Sequence, residues 1–205
     1  MVQAPLFRRT LYPMRFSPPA LRGLLFISLV AGSAPFVTAL EPAPASCRVA
    51  HADGTATTLP RRGSGLLRWK WVVRLYHASL YLDSTAGDSV VASPKRLRMD
   101  YLRDFSRADM VSATEQTIGR NVDAATLVAL QPTLAKWNAL YPPIQTGDYI
   151  EFDHLAGGTL VMRHNGTVRG GLTDEVFAQA LFAIWIGPNA VDRDLREKLV
   201  NQRQR

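Results

Sequence analysis

After Gly65 the chain runs to Leu82 without another glycine or a proline, and the stretch is crowded with Trp, Val, Leu and Tyr. Such residues fit a pleated, half-buried surface, so the segment predicts the longest strand of a sheet. Alternation puts Leu67, Trp69, Trp71, Val73 and Leu75 on one face and Arg68, Lys70, Val72, Arg74 and Tyr76 on the other. One face is apolar and the other amphipathic.

Further strands flank it. Cys47 to Ala52 and Ala56 to Leu59 alternate about an Asp53-Gly54 turn, and Leu97, Met99 and Tyr101 alternate with Arg96, Arg98 and Asp100 between Lys95 and Phe105. Ser106 with Asp109 three residues on signals a helix start, and Met110, Thr114 and Ile118 form its stripe. A second helix follows Asp123 with Leu127, Leu130, Leu134 and Trp137 on one side, and Pro132 is expected to kink or split it. Tyr149 to His154, Thr159 to His164 and Thr167 to Arg169 predict a meander closed by Asn165-Gly166. Thr173 is expected to cap a helix carrying Val176, Phe177, Ala180, Leu181, Ile184 and Trp185, stopped at Gly187-Pro188, and Asp192 to Val200 adds a short amphipathic helix. Strands, two helices, strands, two helices is the order of an α+β domain, a large antiparallel sheet with a helical layer on one face.

The N-terminus reads differently. Residues 1 to 39 hold four arginines and no acid, and they run into the apolar Gly23 to Phe36. A basic stretch before a short apolar one is the pattern of a signal peptide, with Val37-Thr38-Ala39 as the small residues before cleavage. The apolar run is shorter than a bilayer span, Arg8-Arg9 lies far from it for a twin-arginine signal, and Pro44 is wrong for a lipidation box before Cys47. The expectation is therefore a signal peptide at 1–39, a proline-rich linker at 40–46, one domain at 47–205, a periplasmic or secreted location and no transmembrane anchor after cleavage. Four of the seven excess positive charges belong to the leader. The remaining charges are interspersed, so the chain carries no nucleic-acid footprint.

Cys47 stands alone, which excludes an intramolecular disulfide and cysteine zinc sites. No Walker loop, dinucleotide fingerprint, nucleophile elbow or zinc-protease motif occurs. Gly63-Ser64-Gly65 is a glycine pair before a strand and lacks the following helix of a phosphate cradle. His51, His77, His154 and His164 are scattered, although His154 and His164 could face each other across the meander beside Asp153. Neither a metal nor a cofactor is expected. The candidate site is cationic: Arg68 and Arg74 share a face with Tyr76, and Arg103 lies near Tyr101 on the next strand, so guanidinium and phenol donors line one surface suited to a carboxylate or an enolate-like oxygen. On base rates these arginines are solvent-facing.

Four segments together carry a resemblance: Gly63 to Arg68, Val73 to Leu82, Tyr101 to Ser106, and Phe177 to Gly187 with its Ile-Trp-Ile-Gly ending. They resemble the bacterial chalcone isomerase-like proteins, in order, over about residues 45 to 200. The resemblance implies an open-faced β-sandwich. It also implies one of two activities: intramolecular addition of a phenolate to an enone, with a strand arginine stabilising the enolate, or fatty-acid binding, with an arginine and a tyrosine taking the carboxylate. The matching positions are Arg68 and Tyr76, while His77 stands where the plant enzyme has a hydroxyl residue. Eight residues of straight strand span ~26 Å, so Arg68 and Tyr76 meet one ligand only if the chain folds back between them. The favoured expectation is an exported module binding a small amphipathic acid through Arg68, Arg74, Tyr76, His77, Tyr101 and Arg103, in a cleft between sheet and helices. The alternative is an isomerase with Arg68 as electrophile and Tyr76 or His77 as proton carrier.

Overall fold

The computed structural model describes residues 43–201 apart from 52, 71, 84, 85 and 87–89, so the expected signal peptide lies outside the described residues. Seven strands form one sheet in chain order, each antiparallel to the next: β1 Ser46–Ala50, β2 Ala56–Trp69, β3 Val73–Leu82, β4 Lys95–Tyr101, β5 Tyr149–Leu155, β6 Thr159–His164 and β7 Thr167–Thr173. Helices α1 (Arg107–Ile118) and α2 (Ala124–Asn138) connect β4 to β5, and α3 (Glu175–Ile186) and α4 (Arg193–Asn201) follow β7. The α+β architecture read from the sequence is the one observed.

The long strand expected over 65–82 is corrected. The segment is a hairpin, with Leu67 opposite Tyr76, Arg68 opposite Arg74 and Trp69 opposite Val73. Its turn contains no glycine or asparagine, the residues that normally mark such a reversal; Lys70 adopts the left-handed conformation instead, at φ 48°. Period-two alternation continues through the turn, which is why the sequence reads as one strand. The same β2 begins earlier than expected and absorbs the Ala56–Leu59 segment, so Gly63 and Gly65 lie inside a strand. A register shift between Arg61 and Gly63 divides β2 into a half paired with β1 and a half paired with β3.

Other boundaries move for local reasons. Strand β4 stops at Tyr101, and Phe105 makes only an isolated bridge with Ile144. Helix α2 runs unbroken through Pro132. The backbone acceptor this proline leaves unserved, four residues back, belongs to Val128, which is 72% exposed and open to water. Thr173 ends β7, and Asp174 caps α3 by accepting the Phe177 N–H at 3.0 Å. The Ser106–Asp109 capping box at α1 forms as expected. Residues 43 to 45, expected within a connector, lie along the sheet: the Tyr81 hydroxyl donates to the Pro44 carbonyl at 2.9 Å and the Arg61 N–H to that of Ala45 at 2.8 Å.

The helices cover one face. Tyr76, Ala78, Leu80, Leu97, Met99, Phe152, Leu160 and Met162 of the sheet pack against Ile118, Leu134, Trp137, Phe177, Leu181 and Trp185 in a single core. Helix α4 comes closest to the sheet. A Cβ at Gly63 would fall on the backbone carbonyls of Lys198 and Leu199, and one at Gly65 would lie 2.8 Å from the Leu195 Cδ1. Gly63→Ala therefore has to move backbone, whereas Gly65→Ala displaces the end of a side chain. We expect Gly63→Ala to cost about 1–3 kcal/mol and Gly65→Ala less, read as melting temperatures of the two variants. Equal, negligible losses would mean that α4 is not seated on β2 in solution.

Candidate functional site

The hairpin between β2 and β3 answers the geometric difficulty of the sequence. Tyr76 lies opposite Leu67, the residue before Arg68, so the two stand close together on adjacent strands, across an irregularity in the register. They occupy different depths. Arg68 and Arg74 are exposed, whereas Tyr76 is 9% exposed and belongs to the core.

The Tyr76 hydroxyl accepts the Trp185 indole N–H at 2.8 Å. Its own hydrogen is given to no described residue. Burial pushes the phenol well above its ordinary pKa, opposed by the Trp185 N–H and reinforced by Tyr141 and by the carboxylate of Asp192, so the group is a proton donor and not a phenolate. Tyr101 is its neighbour on β4, with ring centroids 5.4 Å apart, and Phe105 stacks edge-on beyond at 5.5 Å. The Tyr101 hydroxyl has only a weak acceptor, the Met99 sulfur at 3.9 Å, and burial raises this phenol too. Two buried O–H donors thus sit side by side with little to donate to.

Beside the hairpin is a cleft of about 240 Å3 lined by Leu66, Arg68, Lys70, Asp192, Asp194 and Lys198; of the six candidates, Arg68 alone is in its wall. Three cations and two carboxylates face it, and Asp192 is fixed by accepting the Leu195 N–H at 2.7 Å at the start of α4. No ion pair engages Arg68, Lys70, Arg74 or Arg103 among the described residues. Arg103 is exposed and lies level with Arg74, because the Leu102 N–H donates to the Leu75 carbonyl at 2.9 Å. His77 is half-buried between Leu66 and Asp100; burial lowers its pKa and the Arg74 charge lowers it further. The structure thus gathers the six sequence candidates at one end of the sheet. Arg68, Arg74 and Arg103 are at the surface, Tyr76 and Tyr101 beneath, and His77 part-way between.

Two buried polar clusters were not singled out from the sequence. On the sheet face away from the helical core, Arg96 forms a bidentate pair with Asp153, which also receives Arg163, and reaches Glu151 at 3.3 Å. Arg98 pairs with Asp100 at 2.7 Å and lies 3.7 Å over the Tyr149 ring. Alternation of charge along β4 was visible, but the partners of Arg96 come from β5, with Arg163 of β6 joining them, which only the register supplies. The second cluster lies at the opposite end of β4 from Tyr101. Lys95, fully buried, donates to the Val90 and Ala92 carbonyls, both at 2.6 Å, and stands opposite His154, whose Nε2 is 3.5 Å from the Glu175 carboxylate. His154 does not face His164 across the meander. Their strand partners are Leu160 and Ile150, and His164 meets Asp148 at 3.0 Å.

His154 gives the fold a signed pH dependence. Burial lowers its pKa from 6.5 and the Lys95 charge lowers it further, with Glu175 opposing, so the unfolded chain binds this proton more readily than the folded one. The associated stability is present above the unfolded pKa and is lost as pH falls through the folded value. Melting temperature should drop on going from about pH 7 to about pH 5, and His154→Gln should flatten that slope, with His77 supplying part of what remains. Parallel slopes would mean that His154 is not held neutral in the folded protein.

Compared with known proteins, residues 48–201 match a family model described as chalcone isomerase-like. A solved structure with a similar fold is a fatty-acid binding protein of Arabidopsis thaliana, at 13% identity and a TM-score of 0.58, over 75% of this chain and 95% of that one. Among curated proteins, none matches the sequence.

Proposed function

Since the chain belongs to the chalcone isomerase-like family, we propose that it binds a small amphipathic acid, a fatty acid or a close analogue, at the β2–β3 hairpin. The observation that carries this reading is the Tyr76 phenol, kept protonated by burial and with its hydrogen uncommitted, opposite the residue that precedes Arg68, itself in the wall of the cleft. A carboxylate needs such a pair: a guanidinium that grips two oxygens and a neutral donor that completes their hydrogen bonding. The name of the Arabidopsis protein points the same way. The cleft is smaller than the ~300–1,000 Å3 of drug-sized ligand sites, so it takes the head group.

The isomerase alternative has less support, because burial raises both phenols away from the range in which they would exchange protons near neutrality. Purified protein should therefore leave a chalcone substrate essentially uncyclised.

Titration of a fluorescent fatty acid at two ionic strengths tests the binding reading. Arg68→Ala should weaken affinity by about thirtyfold, equivalent to ~2 kcal/mol for a partly desolvated charged pair, and Arg68→Lys should restore only part of it. Tyr76→Phe should weaken binding by a smaller factor and leave the salt dependence intact. If Arg74→Ala matters and Arg68→Ala does not, the carboxylate sits on the other strand of the hairpin. If neither matters, the reading fails.

Export is the other half of the proposal, resting on the basic and apolar leader. No helix among the described residues is long and apolar enough to cross a membrane. N-terminal sequencing of protein recovered outside the cytoplasm should begin at Leu40; a mature chain retaining residues 23 to 36 would refute cleavage there.

A further inference from the structure

We propose that the tip of the β2–β3 hairpin docks on the surface of an anionic lipid bilayer. The tip departs from turn chemistry. The other two hairpin reversals that the sequence marks clearly are Asp53-Gly54 and Asn165-Gly166, with the left-handed conformation taken by Gly54, Asn165 and Gly166. At the β2–β3 tip a lysine takes it, and the next described residue, Val72, is 78% exposed. A β-branched apolar side chain exposed beside a lysine in a conformation that costs free energy does not serve the turn. Outliers of this kind mark surfaces kept for contact.

Charge names the partner. Around Val72 stand Arg68, Lys70 and Arg74, with Arg103 level with Arg74, and none of the four has an ion pair among the described residues. The acids that share this end are Asp192 and Asp194 across the cleft, beside Lys198. Trp69 is half-buried under Lys70, whose Nζ lies 4.5 Å from the ring centroid. Cations around an exposed valine, with an indole beneath one of them, suit a membrane surface, where phosphates meet the cations and the interface takes the apolar groups. An acidic protein would satisfy the cations and leave the exposed valine unused.

This docking goes beyond the fatty-acid reading and does not depend on it. The two fail separately, because vesicle binding is measured with no free fatty acid present. Flotation of the whole protein with mixed phosphatidylcholine–phosphatidylglycerol vesicles, against phosphatidylcholine alone, is the test. Binding should require phosphatidylglycerol and weaken with salt. The double variant Lys70→Gln/Arg74→Gln should lose about thirtyfold in partitioning, at about a factor of five for each cation removed, whereas Lys70→Arg/Arg74→Lys should keep it. Val72→Ser should weaken binding about fivefold. Tryptophan emission should shift to the blue on vesicles, and Trp69→Phe should reduce that shift. Melting temperatures of all variants show that the fold is intact. Vesicle binding that ignores the charge variants, or is absent, overturns the proposal. Full retention in Val72→Ser would mean that the tip reads charge alone, and would overturn the bilayer as its partner.

Discussion

The bidentate pair between Arg96 and Asp153 lets the sheet keep charge on the face its helices leave uncovered. Asp153 is 1% exposed and Arg96 7%, so each would be intolerable alone. Three arginines, 96, 98 and 163, are set among three carboxylates, 100, 151 and 153, and the cluster closes on itself without an ion from solvent. Over it folds the first half of β2 with β1, carried there by the register shift at Arg62. Val49, Leu59, Tyr81 and Leu155 form a small second core on this side. Cys47 joins it, its thiol pushed up to about 11 by burial. The sheet is two-sided for this reason: one face buries apolar side chains against helices, and the other buries matched charge under its own first hairpin.

Much of this was legible in the sequence, and what was missed follows a pattern. Elements with their own local chemistry were readable: the Ser106–Asp109 box, the Asn165-Gly166 turn and the apolar stripe of α3. The Lys70 reversal was not, because its residues are strand formers and the alternation passes through it unbroken. Pairing across strands was also invisible. Nothing local to Arg96 announces Asp153, and nothing local to Tyr76 announces Trp185, since each contact exists only once the register and the helix seat are set. The glycines at 63 and 65 were noticed for the wrong reason. They were weighed as a phosphate cradle, and they serve the close seat of α4.

The sequence places the candidate site residues at equal depth, and the structure does not. Alternation assigns Arg68, Arg74 and Tyr76 to one face of a single strand, at equal standing. The hairpin and the irregular register between Leu67 and Arg68 leave both arginines exposed and Tyr76 in the core. An exposed guanidinium stays hydrated, while a buried phenol is already desolvated. The two groups therefore differ in how much water each holds before any ligand arrives.

The seat of α4 on β2 also orders the events of folding. Arg62 donates to the Val200 carbonyl across 138 positions of sequence, and the glycine face beside it has no cover until the last helix arrives. A ribosome finishes β2 early, yet the strand remains open on that side until nearly the whole chain has emerged. Contacts of such long range are slow to form and cannot be replaced by nearer ones. The nascent protein is thereby held short of its locked state until its C-terminal helix has been made.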